Sequence, residues 1–301
     1  MYGLIAVGDI TMDLYFRGDS LTQENGRFSL AIGGKYYSEI FYSGIGGSAA
    51  NVSIHAAQLG FDTAPVATVG ENSFKNIIVQ SLVKKTVSTE FLHFEHEHMS
   101  IAAILLAHNG EKTSIKYTDP KEHIFVPEHA LERIKKSRII FMGNLSDVSI
   151  AERETFLRSV HSQDNLVALN FGAKDCEKGL SGLKKLIDNA RILILNKYEL
   201  CALIHKKPET VDLSKNHFSL VHTGLDVLVI TDGKNGSYAY TANQVYEQPA
   251  SPVEKVVDAT GAGDAFTAAF LVRYAQDGQI EEALSAASQY AAKQLLDIGA
   301  N

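Results

Sequence analysis

The sequence is poor in the features that mark several common protein classes. It has no tryptophan, six prolines and only two cysteines, Cys176 and Cys201, in 301 residues. Two cysteines make neither a disulfide framework nor a zinc-binding pattern, which is typical of a reducing compartment, so we expect a cytoplasmic location. No basic leader precedes Asp9 and Asp13 in the first residues, MYGLIAVGDITMD, which argues against a secretory signal or a transit peptide.

Long apolar segments and an excess of positive charge are also missing. The longest stretch without Asp, Glu, Lys or Arg is 40–61, but its glycines and polar residues, Asn51 and His55 among them, make it a poor membrane span. Lysine and arginine number 28 against 35 acidic residues, a net charge of -7. Such a charge does not attract duplex nucleic acid or an anionic membrane, so we expect neither as a partner.

What is present is an α/β pattern with ample material for a core. The chain is 45% hydrophobic, and short apolar runs alternate with amphipathic stretches, which predicts a mostly parallel sheet covered by helices on both faces. The predicted strands are 4–7, 64–69, 138–142, 166–169, 192–195 and 227–230, and the predicted helices are 49–59, 127–136, 149–161, 179–188, 197–204, 212–222, 262–276 and 280–297.

Two segments interrupt this alternation, at about 13–43 and 100–118. The second contains Asn109-Gly110 between two apolar or alternating runs, and Asn-Gly suits the type I′ turn of a β-hairpin. The two segments together predict a small antiparallel sheet attached to the α/β body. We therefore expect a single domain over 1–301 with a discontinuous β-lid.

The clearest chemical signal lies in the run from Asp258 to Asp264, ahead of an apolar helical stretch. Backbone N–H groups of Gly261, Ala262 and Gly263 can face an anion there without side-chain obstruction, and the helix dipole favours negative charge. Asp264 falls in the first helical turn, where its carboxylate can accept the proton of a substrate hydroxyl. A glycine loop with a helix-capping aspartate is the plainer interpretation, although Asp258 supplies a second carboxylate nearby.

Over nearly its whole length the chain resembles the ribokinase-like (PfkB-type) carbohydrate kinases. The 258–266 segment looks like the C-terminal signature of that family, and further motifs occur in the expected order. They are Gly8 with Asp13, the Gly-Gly-Ser-Ala-Ala-Asn segment 46–51, the hairpin 109–113, Asn-Lys-Tyr-Glu at 196–199 and the nucleotide loop 231–236. The resemblance implies a doubly wound, mostly parallel sheet flanked by helices, with a β-lid.

The resemblance also implies roles for individual residues on the phosphate side. Asp264 would deprotonate the hydroxyl that attacks the γ-phosphate of ATP, and 261–263 would form the anion hole. Asn196 and Glu199 would organise Mg²⁺ and its waters, although their spacing alone describes an ordinary N-cap with a capping-box glutamate. Nucleotide contacts are expected from Thr231, Gly233 and Gly236, and Asp258 is expected to hold a monovalent cation such as K⁺ or to position the phosphate loop.

On the substrate side the resemblance implies that Asp13, Gly47 and Asn51 bind sugar hydroxyls. A carboxylate suits this role because it can accept hydrogen bonds from two neighbouring hydroxyls. The chain departs from the family at 168–172, where many relatives carry Asp-x-Asn-x-Arg and only Asn170 is retained. Phosphate contacts at that strand are therefore not carried over. Because no basic pair stands beside the sugar motifs in the sequence, a phosphorylated sugar is not favoured.

These observations predict an ATP- and Mg²⁺-dependent kinase for a hydroxyl of a small sugar or sugar-like substrate. A nucleoside kinase of the same family is the first alternative, and a non-catalytic sugar- or nucleotide-binding relative is the second. An NAD-binding protein is the third, because 44–49 satisfies G-x-G-x-x-A, although 41–43 is a weak first strand and this interpretation leaves 258–264 unexplained. Exposed lid edges can pair, so a homodimer through the lid is a further expectation.

Overall fold

A computed structural model describes residues 1–18, 21, 23–24, 27–107, 112–119, 123–221 and 224–301. The strands are β1 (Leu4–Val7), β2 (Thr11–Arg17), β3 (Gln23–Glu24), β4 (Arg27–Phe28), β5 (Ile40–Gly46), β6 (Thr63–Gly70), β7 (Leu92–Glu95), β8 (Ser100–Leu106), β9 (Lys112–Thr118), β10 (Ile139–Met142), β11 (Leu166–Leu169), β12 (Ile192–Asn196), β13 (Val227–Thr231), β14 (Ser237–Tyr240) and β15 (Val245–Gln248). The helices are α1 (Ser48–Gln58), α2 (Lys75–Lys84), α3 (Glu128–Lys135), α4 (Ile150–Val160), α5 (Ala173–Cys176), α6 (Gly179–Ile187), α7 (Lys197–Leu203), α8 (Phe218–Val221), α9 (Ala262–Asp277) and α10 (Ile280–Gln294).

Nine strands form the main sheet, in the order β15-β14-β13-β12-β11-β10-β1-β6-β7. From β13 to β7 all neighbours are parallel, and β14 and β15 extend one edge antiparallel. Alternate residues of β1 face opposite sides: Ile5 and Val7 lie in one core cluster, Leu4 and Ala6 in the other. This alternation of buried side chains lets helices cover both faces, and it confirms the predicted α/β architecture.

The two helical layers are unequal in what they position. One layer contains α3, α4, α6 and α7, and the other contains α1, α2, α9 and α10. Helices α1 and α9 pack against each other, and the fully buried small residues Ala49, Ala50, Ala268 and Ala269 line them. Small side chains allow close packing of the two helices, so that segments far apart in the sequence meet.

Strands β2, β5, β8 and β9 form a separate four-stranded lid sheet in the order β5-β2-β8-β9. Its outer pairs are antiparallel and its central pair, β2 with β8, is parallel. Of the first predicted lid segment, only the strands Thr11–Arg17 and Ile40–Gly46 belong to this sheet, while β3 and β4 between them form a separate two-stranded sheet. Asn109 and Gly110 lie outside the described residues, but β8 and β9 pair in the antiparallel manner that their predicted turn requires.

Some elements differ from the prediction. A helix over 212–222 is wrong: only Phe218–Val221 is helical, because Asp212 Oδ1 accepts hydrogen bonds from Ser214 N at 3.1 Å and Ser214 Oγ at 2.7 Å, a local turn that competes with helix formation. Strands β7, β14 and β15 were not predicted, since each has four residues and weak apolar character. None of the helices in the described part of the chain has the length and apolar character of a membrane span.

Candidate active site

Polar residues gather where the parallel strands end. Asp9 follows β1, Asn170 follows β11, Asn196 ends β12 and Thr231 ends β13. The carboxyl ends of parallel strands lie at one edge of the sheet, and this edge is the usual ligand-binding edge of doubly wound folds. Helices α1 and α9 begin at the same edge, as the contacts between their first turns show.

The start of α9 is shaped for an anion. Gly261, at its N-cap, has a left-handed backbone with φ of 75°. A Cβ atom at this position would lie 2.3 Å from the carbonyl oxygen of Ala300, so only glycine fits. The first N–H groups of a helix have no acceptor within the helix, so the turn formed by Gly261, Ala262 and Gly263 offers backbone donors to a negatively charged group.

Asp264 lies in that first turn and contacts α1. Its Oδ2 accepts a hydrogen bond from Asn51 Nδ2 at 2.7 Å, which joins the predicted base to a residue predicted to hold substrate. Burial raises the pKa of Asp264 to about 6; the Asn51 amide and the ammonium groups of Lys112 and Lys116 oppose this rise, and the carboxylate of Asp9 adds to it. A carboxylate with a pKa near 6 is ionised at neutral pH and is a stronger base than an exposed aspartate.

Asp13 is buried on β2, which pairs with β5. A Cβ atom on Gly46 of β5 would lie 2.1 Å from Asp13 Oδ2, so this glycine makes room for the carboxylate. The hydroxyl of Tyr15 donates to Oδ2 at 3.5 Å. Burial raises the pKa of Asp13 to about 7, against the attraction of the Lys116 and Lys112 ammonium groups. Asp13 therefore titrates near neutral pH.

Lys112 and Lys116 were not predicted as site residues. Both lie on β9, and the Nζ of Lys112 donates to Thr260 Oγ1 at 2.7 Å, next to the anion-binding turn. Lys116 forms an ion pair with the buried carboxylate of Asp9. In the folded protein a basic pair therefore does lie beside the sugar motifs, and the expectation that none does is wrong. The alternation of Lys112 and Lys116 along one strand face was the available signal, but only pairing of the lid strands brings them to Asp13.

Asp9 and Gly47 together fix the start of α1. Asp9 Oδ1 accepts from Ser48 N at 2.8 Å and from Ser48 Oγ at 3.0 Å. Gly47 is the N-cap, with φ of 91°, and a Cβ atom there would lie 2.4 Å from the Asp9 carbonyl oxygen. This glycine lets the chain turn sharply into α1, which places Asn51 one turn further along.

Asp258 lies beneath the anion-binding turn and is fully buried. Its Oδ1 accepts from Thr260 N at 2.9 Å and from Thr260 Oγ1 at 2.6 Å, and its Oδ2 accepts from Gly299 N at 3.0 Å. The carboxylate therefore ties the turn to residue 299. Both oxygens of the Asp258 carboxylate accept hydrogen bonds from the protein. The ammonium group of Lys112 donates to Thr260, so the chain itself supplies positive charge near Asp258.

A cavity of about 600 Å³ lies on the other side of α9, within the size range of cofactor pockets. We call it the nucleotide cavity. Five of the residues predicted from the sequence line it: Thr231, Gly233, Gly236, Ala262 and Gly263. Apolar residues that were not predicted also line it, among them Val253, Val256, Phe266, Ala291 and Leu295. Asn196 is not among its lining residues and lies at the neighbouring strand end.

Asn196 and Glu199 form a complete capping box on α7. Asn196 Oδ1 accepts from Glu199 N at 2.9 Å, and Glu199 Oε2 accepts from Asn196 N at 2.8 Å. Burial raises the pKa of Glu199 to about 7, opposed by these hydrogen bonds and one from Asn170, while the charge of Asp264 adds to the rise. Within the described residues no cluster of three or more His, Cys, Asp or Glu could hold a metal ion, so a cation here would need phosphate and water ligands, as Mg²⁺ commonly does.

The NAD-binding alternative fails on the surroundings of its motif. Gly44, Ile45 and Gly46 lie on β5 of the lid sheet and pair antiparallel with β2. A dinucleotide fingerprint requires the strand before the glycines to belong to the parallel sheet. Gly46 instead makes room for Asp13.

Buried carboxylates, a helix start that offers backbone donors and a cavity of about 600 Å³ therefore lie together at one edge of the sheet. This combination defines a phosphotransferase with a small alcohol as acceptor. The chain belongs to the family described as pfkB family carbohydrate kinase, whose model matches residues 1–301.

Comparisons with individual proteins give the same family. Probable fructokinase-5 from Arabidopsis thaliana is 30% identical over 251 residues, covering 80% of this chain and 76% of that protein. Among solved structures, Arabidopsis thaliana ribokinase complexed with ribose and ATP has a TM-score of 0.80 at 22% identity, covering 99% of this chain and 94% of its own. Methanocaldococcus jannaschii nucleoside kinase has a TM-score of 0.75 at 20% identity, covering 99% and 93%. The two structures show that the fold is shared.

Proposed function

We propose that this protein transfers the γ-phosphoryl group of ATP to a hydroxyl of a small sugar or sugar-like substrate, with Asp264 as general base. The observation that carries the proposal is the 2.7 Å hydrogen bond between Asn51 and Asp264. It lies at the start of the helix whose first residues also line the nucleotide cavity. The related ribokinase structure that contains ribose and ATP supports ATP as the donor.

In this proposal the acceptor is held beneath the lid sheet. The carboxylate of Asp13 accepts hydrogen bonds from substrate hydroxyls, and Asn51 orients the hydroxyl that reacts. A charged acceptor makes stronger hydrogen bonds than a neutral one, and in a site closed off from water these bonds also give orientation. Because the lid sheet covers the bound acceptor, it also keeps water, the competing phosphoryl acceptor, out of the site.

Transfer then needs one proton movement and one displacement. Asp264 Oδ1 takes the proton of the acceptor hydroxyl while that oxygen forms a bond to the γ-phosphorus, and the bond from the γ-phosphorus to the bridging oxygen of ADP breaks. Backbone N–H groups of 261–263 donate to the oxygens of the moving phosphoryl group. Donors fixed in advance are among the largest sources of rate enhancement, about 10²–10³-fold for one donor.

Mg²⁺, when bound, would neutralise charge on the phosphates of ATP. Asn196 and Glu199, with Asn170 beside them, are the residues on this edge that would hold it through water, which fits the oxygen chemistry of their side chains. The expectation of a monovalent cation at Asp258 stays a prediction, because Thr260 and Gly299 already donate to its carboxylate.

The test is release of ADP from MgATP in the presence of a panel of neutral sugars, sugar acids and nucleosides, for the wild type and for Asp264→Asn. Release that one compound stimulates in the wild type and not in the variant supports the proposal and names the acceptor. A folded protein that binds ATP and gives no stimulated release with any compound contradicts it and favours a non-catalytic binding relative.

A nucleoside acceptor is the second candidate. The rings of Tyr15 and Tyr42 lie on neighbouring strands of the lid sheet with centroids 5.6 Å apart, and Tyr42 is 38% exposed. An aromatic surface there suits a nucleobase. The nucleoside arm of the panel decides between the two acceptors, and loss of that stimulation in Tyr42→Ala would favour the nucleoside.

We further propose that the protein forms a homodimer through the lid sheet. Side chains on the lid face that points away from Asp13 are apolar and open to solvent: Phe41 is 60%, Ile115 66% and Tyr117 56% exposed. A second copy of the same sheet is the complementary partner for such a face. Sedimentation should give a dimer for the wild type and a monomer for Ile115→Glu; a wild-type monomer at micromolar concentration would contradict the proposal.

A further inference from the structure

Residues 299–301 lie beside the first turns of α1 and α9, with Asn301 against Asn51 and Ala300 against Gly261. The carbonyl oxygen of Gly299 accepts from Gln294 Nε2 at 2.7 Å, and that of Ala300 lies 2.9 Å from His55 Nε2. With the bond from Gly299 N to Asp258, these contacts hold the segment on several sides. The segment is therefore fixed where it meets the residues that surround Asp264.

Asn301 closes a row of amides that leads to Asp264. Its Nδ2 donates to the carbonyl oxygen of Ile45 at 2.7 Å and to Asn51 Oδ1 at 2.8 Å. Asn51 Nδ2 in turn donates to Asp264 Oδ2 at 2.7 Å. The row thus runs from a backbone carbonyl on the lid sheet to the carboxylate at the start of α9.

This row can have only one polarity. A backbone carbonyl only accepts hydrogen bonds, so the Asn301 atom that faces Ile45 must be the nitrogen. That same nitrogen donates to Asn51, so the Asn51 atom facing it must be the oxygen. The Asn51 nitrogen is then turned to Asp264, where an ionised carboxylate needs a donor. An amide that could otherwise be flipped is thereby oriented from both ends.

We propose that Asn301 is a positioning residue for the reaction, which fixes the Asn51 amide so that it donates to the carboxylate of Asp264. The proposal rests on the proposed function, in which Asp264 is the base. With Asn301 in place, the carboxylate keeps one oxygen engaged and presents the other to the acceptor hydroxyl. Without it, Asn51 can turn its oxygen toward Asp264, which favours the protonated and inactive carboxyl.

Other charged groups also influence Asp264, and the substitution Asn301→Ala leaves them in place. Asp9 after β1, Lys112 and Lys116 on β9 and Glu199 on α7 are the charged groups that influence it. The Asn301 side chain is neutral, so Asn301→Ala changes no charge. A change in the titration of Asp264 in that variant must therefore arise through hydrogen bonding or packing, and a double-mutant comparison separates the two.

The experiment follows Asp264 directly, by NMR titration of protein labelled with ¹³C at the aspartate carboxyl, with the signal assigned by its loss in Asp264→Asn. We expect Asn301→Ala to raise the titration midpoint by about half to one pH unit, and Asn301→Ser to raise it less, since a hydroxyl can still donate. In the Asn51→Ala background, Asn301→Ala should add nothing. The acid limb of kcat/KM should move with the NMR midpoint. Gln289→Ala, which removes an exposed amide on α10 that donates to Ser285 Oγ and lies outside the row, is the matched control and should leave the midpoint in place.

An unchanged midpoint in a folded Asn301→Ala protein, judged by its melting temperature and ATP binding, would overturn the proposal. So would an equal shift with and without Asn51, because Asn301 would then act by another route. Failure of the proposed function has a different signature. In that case the acid limb of kcat/KM does not follow the Asp264 midpoint in the wild type, whether or not Asn301 moves the midpoint.

Discussion

The two halves of the candidate site differ in the chemistry of the side chains that line them. The acceptor side, formed by Asp9, Asp13, Asn51, Lys112 and Lys116, is built from charged and amide side chains with raised or lowered proton affinities. The nucleotide cavity is lined by glycine, alanine, serine and apolar residues, and among its described lining residues only Lys234 carries a charge. Under the proposed function, charge and hydrogen bonding would select the acceptor, whereas shape and backbone donors would select the nucleotide.

The two sides also differ in the elements that build them. The lysines of the acceptor side come from β9 of the lid sheet, and Asp13 comes from β2. The nucleotide cavity is formed by loops and helices around the main sheet, between β13 and α10. Lid movements should therefore change acceptor affinity more than nucleotide affinity.

The largest expected effect breaks the reaction and spares the nucleotide. Asp264→Asn removes the base but retains size and a hydrogen bond to Asn51, so kcat should fall roughly 10³-fold while ATP binding persists. Steady-state kinetics and calorimetric ATP titration measure the two quantities. Asp188→Asn, at an exposed helix end, is the control. A kcat within a few-fold of wild type would exclude Asp264 as the base.

Asp13→Ala should separate the two sides. Loss of charge-assisted hydrogen bonds to the acceptor costs about 1.5–3 kcal/mol, which corresponds to an acceptor KM roughly 10–100-fold higher. The KM for ATP should change little, because Asp13 does not line the nucleotide cavity. An equal rise in both KM values would instead indicate a general loss of structure.

The pH dependence should also distinguish the acceptor side. Asp13 and Asp264 have pKa values raised to about 7 and about 6, and in the proposed reaction each would act in its ionised form. Activity is therefore present above these values and is lost as pH falls through them. Below pH 6 the logarithm of kcat/KM for the acceptor should rise with pH with a slope of about two, and Asp13→Asn should reduce the slope to about one. An unchanged slope in Asp13→Asn would show that Asp13 does not titrate in the reaction.

The smallest effect tests the shape of the nucleotide cavity. Gly236 has φ of 97°, and a Cβ atom there would lie 2.3 Å from the carbonyl oxygen of Gln248; Gly233 has φ of 54° and open space around the same position. Strain of about 1–3 kcal/mol is expected at either glycine, with the clash added only at Gly236. Gly236→Ala should therefore raise the ATP KM, by about tenfold, and lower the melting temperature, each more than Gly233→Ala does. Equal changes in the ATP KM and the melting temperature for the two variants would argue against recognition of the nucleotide by the shape of this cavity.

Much of the fold and part of the site could be predicted because the signals are local. Apolar strands and their helices follow from spacing, and Asp264 and Gly261 lie within one short motif. Lys112, Lys116 and Asn301 could not be found in this way, since their partners are 148, 107 and 250 positions away in the sequence. Contacts of that range depend on strand pairing and helix packing, which a motif does not encode. The helix predicted over 212–222 failed for a local reason, the hydrogen bonds from Ser214 to Asp212.

The bond between Asn51 and Asp264 joins residues 213 positions apart, and the one between Asn51 and Asn301 spans 250. Contacts so distant in sequence form late, because the intervening chain must be ordered first. On the ribosome, Asp13 and Asn51 are synthesised long before the residues that face them. A nascent or partly folded chain can thus contain Asp13 and Asn51 before Asp264 and the turn at 261–263 are in place. Under the proposed function such a chain would not react with ATP, and the appearance of activity would report completed folding.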